Sequence, residues 1–170
     1  MFIAIGDMAV HVQVQGPPGA PPVLMLHSLG TNLHVWDPQA EALARTHRVI
    51  RIDLRGHGLS ATIPGETGMA ALAGDAFAVL DALGVKAAHL AGISIGGRIA
   101  MEMAASRPDR VLSLFLLDTA MEFPPPSNWQ ARIEAVASGG MAAVADGVMA
   151  RWVVDQAAPA SRALRSMLLA

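Results

Sequence analysis

The stretch Gly92-Ile93-Ser94-Ile95-Gly96-Gly97 decides the fold. It follows an apolar run over 87–91 and precedes a segment, 98–104, with apolar residues at helical spacing, so the order predicts a strand, a tight turn and a helix. In such a turn the serine backbone is strained, and the glycines two residues before and after it prevent collisions between strand and helix. We interpret Ser94 as a nucleophile presented on this turn. The alternatives are a serine in a flexible glycine loop and a phosphate-cradling turn.

The composition is that of one globular domain. Of 170 residues, 53% are apolar and 15% charged, with a net charge of −2, which allows a sizeable core and argues against disorder and against a nucleic-acid partner. The absence of cysteine excludes disulfides and thiolate metal sites. Zinc bound through histidine alone is possible in principle, but the six histidines show no H-E-x-x-H spacing, so we expect no metal and no cofactor. Residues 1–7 have no basic region before their apolar residues, and no apolar run approaches the ~18 residues of a membrane span. We therefore expect a soluble, cytoplasmic protein without a membrane partner.

Short apolar runs predict the strands. Residues 10–14 alternate between valine and polar residues, which predicts a strand with one wet face, paired as a hairpin with 2–5. His11 falls on the wet face and is predicted to be a surface residue. Continuous apolar runs predict strands buried on both faces, and they lie at 23–26, 49–52 and 111–117.

Helices are predicted between these strands. Asp37 and Pro38 predict a helix start with aspartate at the N-cap and proline at N1. A second helix is predicted from Thr67 to a stop at Gly84, and a third follows Ser94. Strand and helix thus alternate from residue 23 to 117, which predicts an α/β fold with a mostly parallel sheet and helices on both faces.

The composition changes at Pro124-Pro125-Pro126, after which every segment has a helical pattern. Ser127 followed by Gln130 predicts a capping box, and Gly139-Gly140 predict a helix break. We interpret 1–123 as the sheet core and 124–170 as part of a helical cap over the mouth of the sheet.

A serine nucleophile on a strand–turn–helix motif needs an oxyanion hole, a base and an acid. The backbone N–H of Ile95 and one in the loop Ser28-Leu29-Gly30 are the predicted oxyanion donors. Base and acid follow the serine in this architecture, yet all six histidines precede Ser94. Asp118 could serve as the acid or as a structural carboxylate at a strand end.

Two histidines lie on loops after strands. His57 could approach Ser94 or shape its own loop. We interpret His27 as a structural residue that holds the early loop, in preference to a catalytic one.

The motifs together resemble the 3-oxoadipate enol-lactonase family of the α/β-hydrolase superfamily. The resemblance rests on 26–32 (LHSLGTN), 36–39 (WDPQ), 55–60 (RGHGLS), 92–97 (GISIGG) and the cap segments 128–133 and 139–143 with Arg151-Trp152. Within it, Gly92, Gly96, Gly97 and His27 correspond to structural residues around the elbow that presents the nucleophile.

The resemblance implies hydrolysis of the enol-lactone of 3-oxoadipate in aromatic-compound catabolism. Ser94 would attack the lactone carbonyl, and the N–H groups of Leu29 and Ile95 would hold the oxyanion. Trp129 and Arg132 would contact this small, carboxylate-bearing substrate from the lid. The alternative for this pair is a solvated arginine beside a packing tryptophan.

The resemblance also implies further strands beyond the cap that carry the catalytic Asp and His, so we expect this sequence to correspond to the N-terminal portion of such an enzyme. Without base and acid Ser94 is a weak nucleophile, and strand 111–117 becomes an exposed apolar edge open to self-association. Alternative functions are another carboxylesterase, a carbon–carbon hydrolase, a cofactor-free perhydrolase, or a non-catalytic remnant that acts through a partner.

Overall fold

A computed structural model describes residues 1–65, 67–123 and 125–169, with Pro126 and Asn128 described through their backbone alone. Six strands and six α-helices are found in these ranges. The strands are β1 Phe2–Ile5, β2 Met8–Gln15, β3 Pro22–Leu26, β4 Arg48–Ile52, β5 Ala88–Ile93 and β6 Val111–Leu117. The helices are α1 Asp37–Leu43, α2 Met69–Ala82, α3 Ile95–Ser106, α4 Pro126–Gly139, α5 Ala142–Trp152 and α6 Pro159–Leu169.

The six strands form one mixed sheet in the order β1-β2-β4-β3-β5-β6. β1 and β2 are the predicted antiparallel hairpin, and β2 is also antiparallel to β4. From β4 through β3 and β5 to β6 all pairings are parallel. Parallel neighbours require crossover helices, and the connections through α1, α2 and α3 supply them. The predicted α/β alternation is therefore confirmed.

Helices cover both faces of the central strands. Leu24, Ile50 and Leu90 point to the face covered by α2 and α3, where they join the larger apolar cluster. Met25 and Val49 alternate with them and pack with Trp36 and Ala40 on the α1 side. The continuous apolar runs of β3 and β4 follow from this double coverage, because every residue of a strand between two helix layers is buried.

Three local expectations were wrong. His11 is buried, because its ring forms an ion pair with the buried Asp53 carboxylate. The first helix has Trp36 at its N-cap, one residue before Asp37, because the 3₁₀ turn Leu33–Trp36 leads directly into it. Strand β6 is exposed on both faces rather than buried, since it is the last strand of the sheet among the described residues.

The chain divides into two compact units, Met1–Met121 and Glu122–Ala170. In the second unit, Val148, Met149 and Leu168 form a small apolar cluster between α5 and α6. The break at Gly140 is confirmed, because its positive φ of 64° ends α4. The capping box at Ser127 was wrong, since the N-cap of α4 is Pro125 and the Gln130 side chain bonds Glu134 instead. The predicted boundary at Pro124 falls on a residue outside those described.

A search of the described residues for a helix that could cross a membrane finds none.

Candidate active site

Ser94 lies between the end of β5 and the start of α3 and adopts φ 54° and ψ −119°. For a residue with a side chain, a positive φ costs about 1–3 kcal/mol and persists only where the surroundings fix it. The surroundings fix it here through three hydrogen bonds. The Ser94 N–H donates to the Leu117 carbonyl at 3.0 Å, and the Ser94 carbonyl accepts from the Thr119 hydroxyl at 2.6 Å and from the Arg98 N–H at 3.1 Å.

Three glycines make this turn possible. A Cβ on Gly92 would collide with the backbone of Gly96, and one on Gly96 would collide with the carbonyl groups of Leu26 and His27. A Cβ on Gly97 would lie 2.6 Å from the Thr119 methyl group. The glycines therefore bring the first turn of α3 into contact with the end of β3 and with the segment after β6.

The close approach at Gly96 places the N-terminus of α3 beside the loop that follows β3. Ile95 begins α3, so its N–H has no acceptor within the helix. Leu29 is 37% exposed in the neighbouring loop, and its N–H finds no acceptor among the described residues. The loop is held by the Ser28 carbonyl, which accepts from the Thr31 hydroxyl at 2.8 Å and the Thr31 N–H at 3.1 Å. The two N–H groups predicted as oxyanion donors, those of Leu29 and Ile95, are thus left without an acceptor among the described residues.

His27 is fully buried under this loop. Its Nε2 accepts from the Leu54 N–H at 2.9 Å, so the proton resides on Nδ1, which donates to the Ser28 carbonyl at 2.8 Å. Burial lowers the pKa of His27 to about 4, and the nearby His57 acts in the same direction. A neutral ring with both nitrogens engaged cannot take a proton from Ser94, so the geometry gives His27 a structural part.

Asp53 ties the same loop to the next one, a role that the sequence analysis missed. Its carboxylate, 2% exposed, accepts from the N–H groups of Leu33 at 2.7 Å and Leu59 at 2.9 Å, and pairs with His11 at 2.8 Å. Gly58 leaves room for it, because a Cβ there would collide with the carboxylate. The signal in the sequence was an aspartate directly after a buried strand and before a glycine-rich loop.

No general base for Ser94 is found within the described residues. The Ser94 hydroxyl has no hydrogen-bond partner there, so none of the six histidines is bonded to it, and each histidine has its Nδ1 bonded to another group. The partners are Asp53 for His11, Ser28 for His27, Asp37 for His34, Thr46 for His47, Arg55 for His57 and Ser113 for His89. The hydroxyl therefore stays neutral and weakly nucleophilic in this arrangement.

Asp118 follows β6 with a positive φ of 43° and an exposed side chain. Its carboxylate makes no hydrogen bond or ion pair with the described residues. The structure thus places the candidate acid near the C-terminal end of the sheet without a histidine to orient.

Trp129 and Arg132 lie in the second unit, which is described by itself. The Arg132 guanidinium carbon is 5.0 Å above the Trp129 ring, and the ring centre of Phe123 is 6.3 Å from that of Trp129. Burial, followed by the charge of Arg151, lowers the pKa of Arg132 from its ordinary value. Arg132 is half-buried and stacked on the ring rather than freely solvated.

A family profile described as the alpha/beta hydrolase fold matches residues 21–148. The chain is 37% identical over 145 residues to 3-oxoadipate enol-lactonase 1 of Acinetobacter baylyi, covering 85% of this chain and 54% of the relative. Among solved structures it is similar to a hydrolase from Pseudomonas aeruginosa PA01, with a TM-score of 0.94 and 36% identity over 100% of this chain and 66% of that one.

A second solved structure, the enol-lactonase from Burkholderia xenovorans LB400, gives a TM-score of 0.92 and 32% identity over 99% of this chain and 65% of that one. The chain spans about half the length of the curated relatives that it matches. The strained serine between strand and helix is consistent with the profile match and with these likenesses. The chain belongs to the α/β-hydrolase fold family.

Proposed function

We propose that this protein is a cytoplasmic serine hydrolase of small lactones, similar to 3-oxoadipate enol-lactonase and acting in aromatic-compound catabolism. Ser94 is the nucleophile, and the N–H groups of Leu29 and Ile95 stabilise the oxyanion. No histidine follows Ser94 in this sequence to serve as the base, and Asp118 is the candidate acid.

The observation that carries the proposal is the backbone of Ser94. A half-buried serine with a positive φ, held by hydrogen bonds with three neighbours, lies at the C-terminal ends of the parallel strands, where ligands bind in open α/β sheets. The unpaired N–H groups of Leu29 and Ile95 favour acyl transfer over phosphate binding, because two donors beside a nucleophile match a tetrahedral oxyanion.

The substrate class rests on similarity and on the second unit. Two curated relatives, 37% and 33% identical over 145 and 146 residues, bear the name 3-oxoadipate enol-lactonase. In the proposal, Arg132, held over Trp129, pairs with a substrate carboxylate. A desolvated guanidinium beside a second one, Arg151, gains by binding an anion, because the anion relieves the repulsion that lowers the pKa of Arg132.

A fluorophosphonate probe tests the nucleophile. We expect slow labelling of the wild-type chain and none of Ser94→Ala, with Ser106→Ala as the control, because Ser106 lies at the far end of α3 and bonds only backbone carbonyls. Added imidazole supplies a base in solution, and we expect it to accelerate labelling of wild type and of Ser106→Ala but not of Ser94→Ala. Equal labelling of wild type and Ser94→Ala would show that Ser94 is not the nucleophile.

Other substrates within the family remain as a second reading, because the fold does not set the substrate. A solved relative, 30% identical with a TM-score of 0.88, is described as a thermophilic esterase. The lactonase and esterase functions are separated by measuring turnover of the enol-lactone and of a simple aryl ester. The protein is assayed with a base added in solution. A higher kcat/KM for the lactone that falls about 10-fold or more in Arg132→Ala supports the lactonase reading; a higher value for the aryl ester contradicts it.

A non-catalytic remnant is the third reading, and the absence of a base for Ser94 among the described residues favours it. Its test is the imidazole experiment: if imidazole accelerates no Ser94-dependent labelling, the remnant replaces the hydrolase.

A further inference from the structure

At the opposite end of the sheet from Ser94, two histidines approach each other. His89 lies near the start of β5 and His47 directly before β4. Their ring centres are 6.4 Å apart and their planes meet at 80°. Five residues of extended strand separate His89 from Ser94, about 16 Å. This pair therefore takes no part in the proposed hydrolase site.

Both rings are held through Nδ1, which leaves Nε2 available. His89 Nδ1 is 2.8 Å from the Ser113 hydroxyl, and His47 Nδ1 is 2.8 Å from the Thr46 hydroxyl. The Thr46 hydroxyl also lies 3.4 Å from the Leu43 carbonyl, so two contacts hold it beside the His47 ring. A histidine ring with one nitrogen hydrogen-bonded to the protein and the other open is the arrangement seen in metal-ligating histidines.

His89 and Ser113 are polar residues in strands that are otherwise apolar. His89 pairs with Ser113 in the register of β5 and β6 and with Val23 in that of β3 and β5. The other residues of β6 are all apolar. The Ser113 hydroxyl therefore faces the His89 imidazole in strands that are otherwise apolar. This placement indicates that the hydroxyl orients the His89 ring. The nearest guanidinium in sequence, Arg48, is engaged by the Leu83 carbonyl.

We propose that His47 and His89 form a two-histidine site for a divalent first-row metal ion of the zinc class, with water completing the coordination. Imidazole nitrogen suits Zn²⁺, Cu²⁺ and Ni²⁺. With metal–nitrogen bonds of about 2.0 Å, two rings on one tetrahedral ion have centres about 5 Å apart, so a side-chain rotation closing roughly 1 Å seats the ion. Both rings are half-buried, which leaves one side open to solvent.

The test uses the tag-free 170-residue chain titrated with Zn²⁺ in a calorimeter. Wild type binds one equivalent. His47→Gln and His89→Gln each weaken that affinity at least 10-fold, and Ser113→Ala, which removes only the hydroxyl behind His89, weakens it about 10-fold. His34→Gln is the matched control, because His34 is an exposed histidine with its Nδ1 bonded to Asp37 on another part of the surface.

Thermal unfolding provides a second readout, because an ion that binds the folded state raises Tm. Zinc raises Tm of wild type and of His34→Gln, and leaves Tm of the His47→Gln/His89→Gln double variant unchanged. Circular dichroism establishes that each variant is folded. The proposal is overturned if wild type shows no saturable zinc binding, or if the binding survives the double variant unchanged.

Discussion

At the scale of single residues, Gly96 is a position where the fold leaves no room for a side chain. A methyl group there would overlap the carbonyl groups of Leu26 and His27, which are backbone atoms of β3 and its loop and cannot rotate away. We expect Gly96→Ala to lower the free energy of unfolding by about 3 kcal/mol and to displace the Ser94 turn. Urea denaturation followed by circular dichroism measures the change.

Gly74 is the matched control for this substitution. It is exposed in the middle of α2, and a Cβ there meets nothing within 4 Å. Gly74→Ala should raise the free energy of unfolding by about 0.5–1 kcal/mol through helix propensity and loss of unfolded-state entropy. If both variants were equally stable, the close approach at Gly96 would not constrain the turn.

His27 makes stability depend on pH. Its folded pKa of about 4 lies below the ordinary value of 6.5, so the unfolded chain binds the extra proton first. The stabilisation is complete above pH 6.5 and is lost as the pH falls toward 4, amounting to about 3 kcal/mol over that range. Denaturation between pH 7 and 4 should show this slope, and His27→Gln should reduce it. A variant whose slope matched wild type would assign the dependence to other groups.

At the scale of elements, Asp53 links three segments of chain. Its carboxylate accepts from Leu33 in the 3₁₀ turn and from Leu59 in the loop after β4, and pairs with His11 in β2. Asp53→Ala leaves these buried donors unpaired, so we expect a loss of about 3–5 kcal/mol and faster hydrogen exchange at the Leu33 and Leu59 amides. Glu41→Ala, on the exposed side of α1, should change stability by less than about 0.5 kcal/mol.

The same residue shows where prediction from sequence stops. Strand positions followed from apolar runs, because a strand between two helix layers is buried at every residue. The alternation of residues along β2 predicted that His11 faces water. That alternation reflects only the neighbouring residues in the sequence. The burial of His11 depends on Asp53, which is distant in sequence and reaches it only through the pairing of β2 with β4.

Helix ends show a similar limit. Ser127 and Gln130 have the spacing of a capping box, but the helix begins at Pro126, which puts Ser127 inside the first turn. The Ser94 turn was predictable because a serine between paired glycines, after a strand and before a helix, is a local pattern, although Gly96 and Gly97 are constrained by contacts distant in sequence. The state of the Ser94 hydroxyl depends on groups brought from elsewhere in the fold, and among the described residues none of them is bonded to it.

At the scale of the whole molecule, the two edges of the sheet differ. β1 has four residues whose side chains alternate between exposed and half-buried. β6 has seven residues with no charge, and Leu112, Phe115 and their apolar neighbours are exposed on both faces. Natural edges are usually short or carry charge, because a long apolar edge pairs with another chain.

We therefore expect the 170-residue chain to self-associate through β6, and Phe115→Lys to reduce that association by adding a charge to the edge. Phe2→Lys is the matched control, because Phe2 is 61% exposed on β1 and Phe115 is 62% exposed on β6. Both substitutions remove the same ring and add the same charge at equal exposure, so a general effect of charge or solubility would appear in both. Sedimentation velocity over a concentration series should show a smaller weight-average mass for Phe115→Lys alone. A chain that remained monomeric without substitution, or two variants that behaved alike, would mean that β6 is not the associating surface.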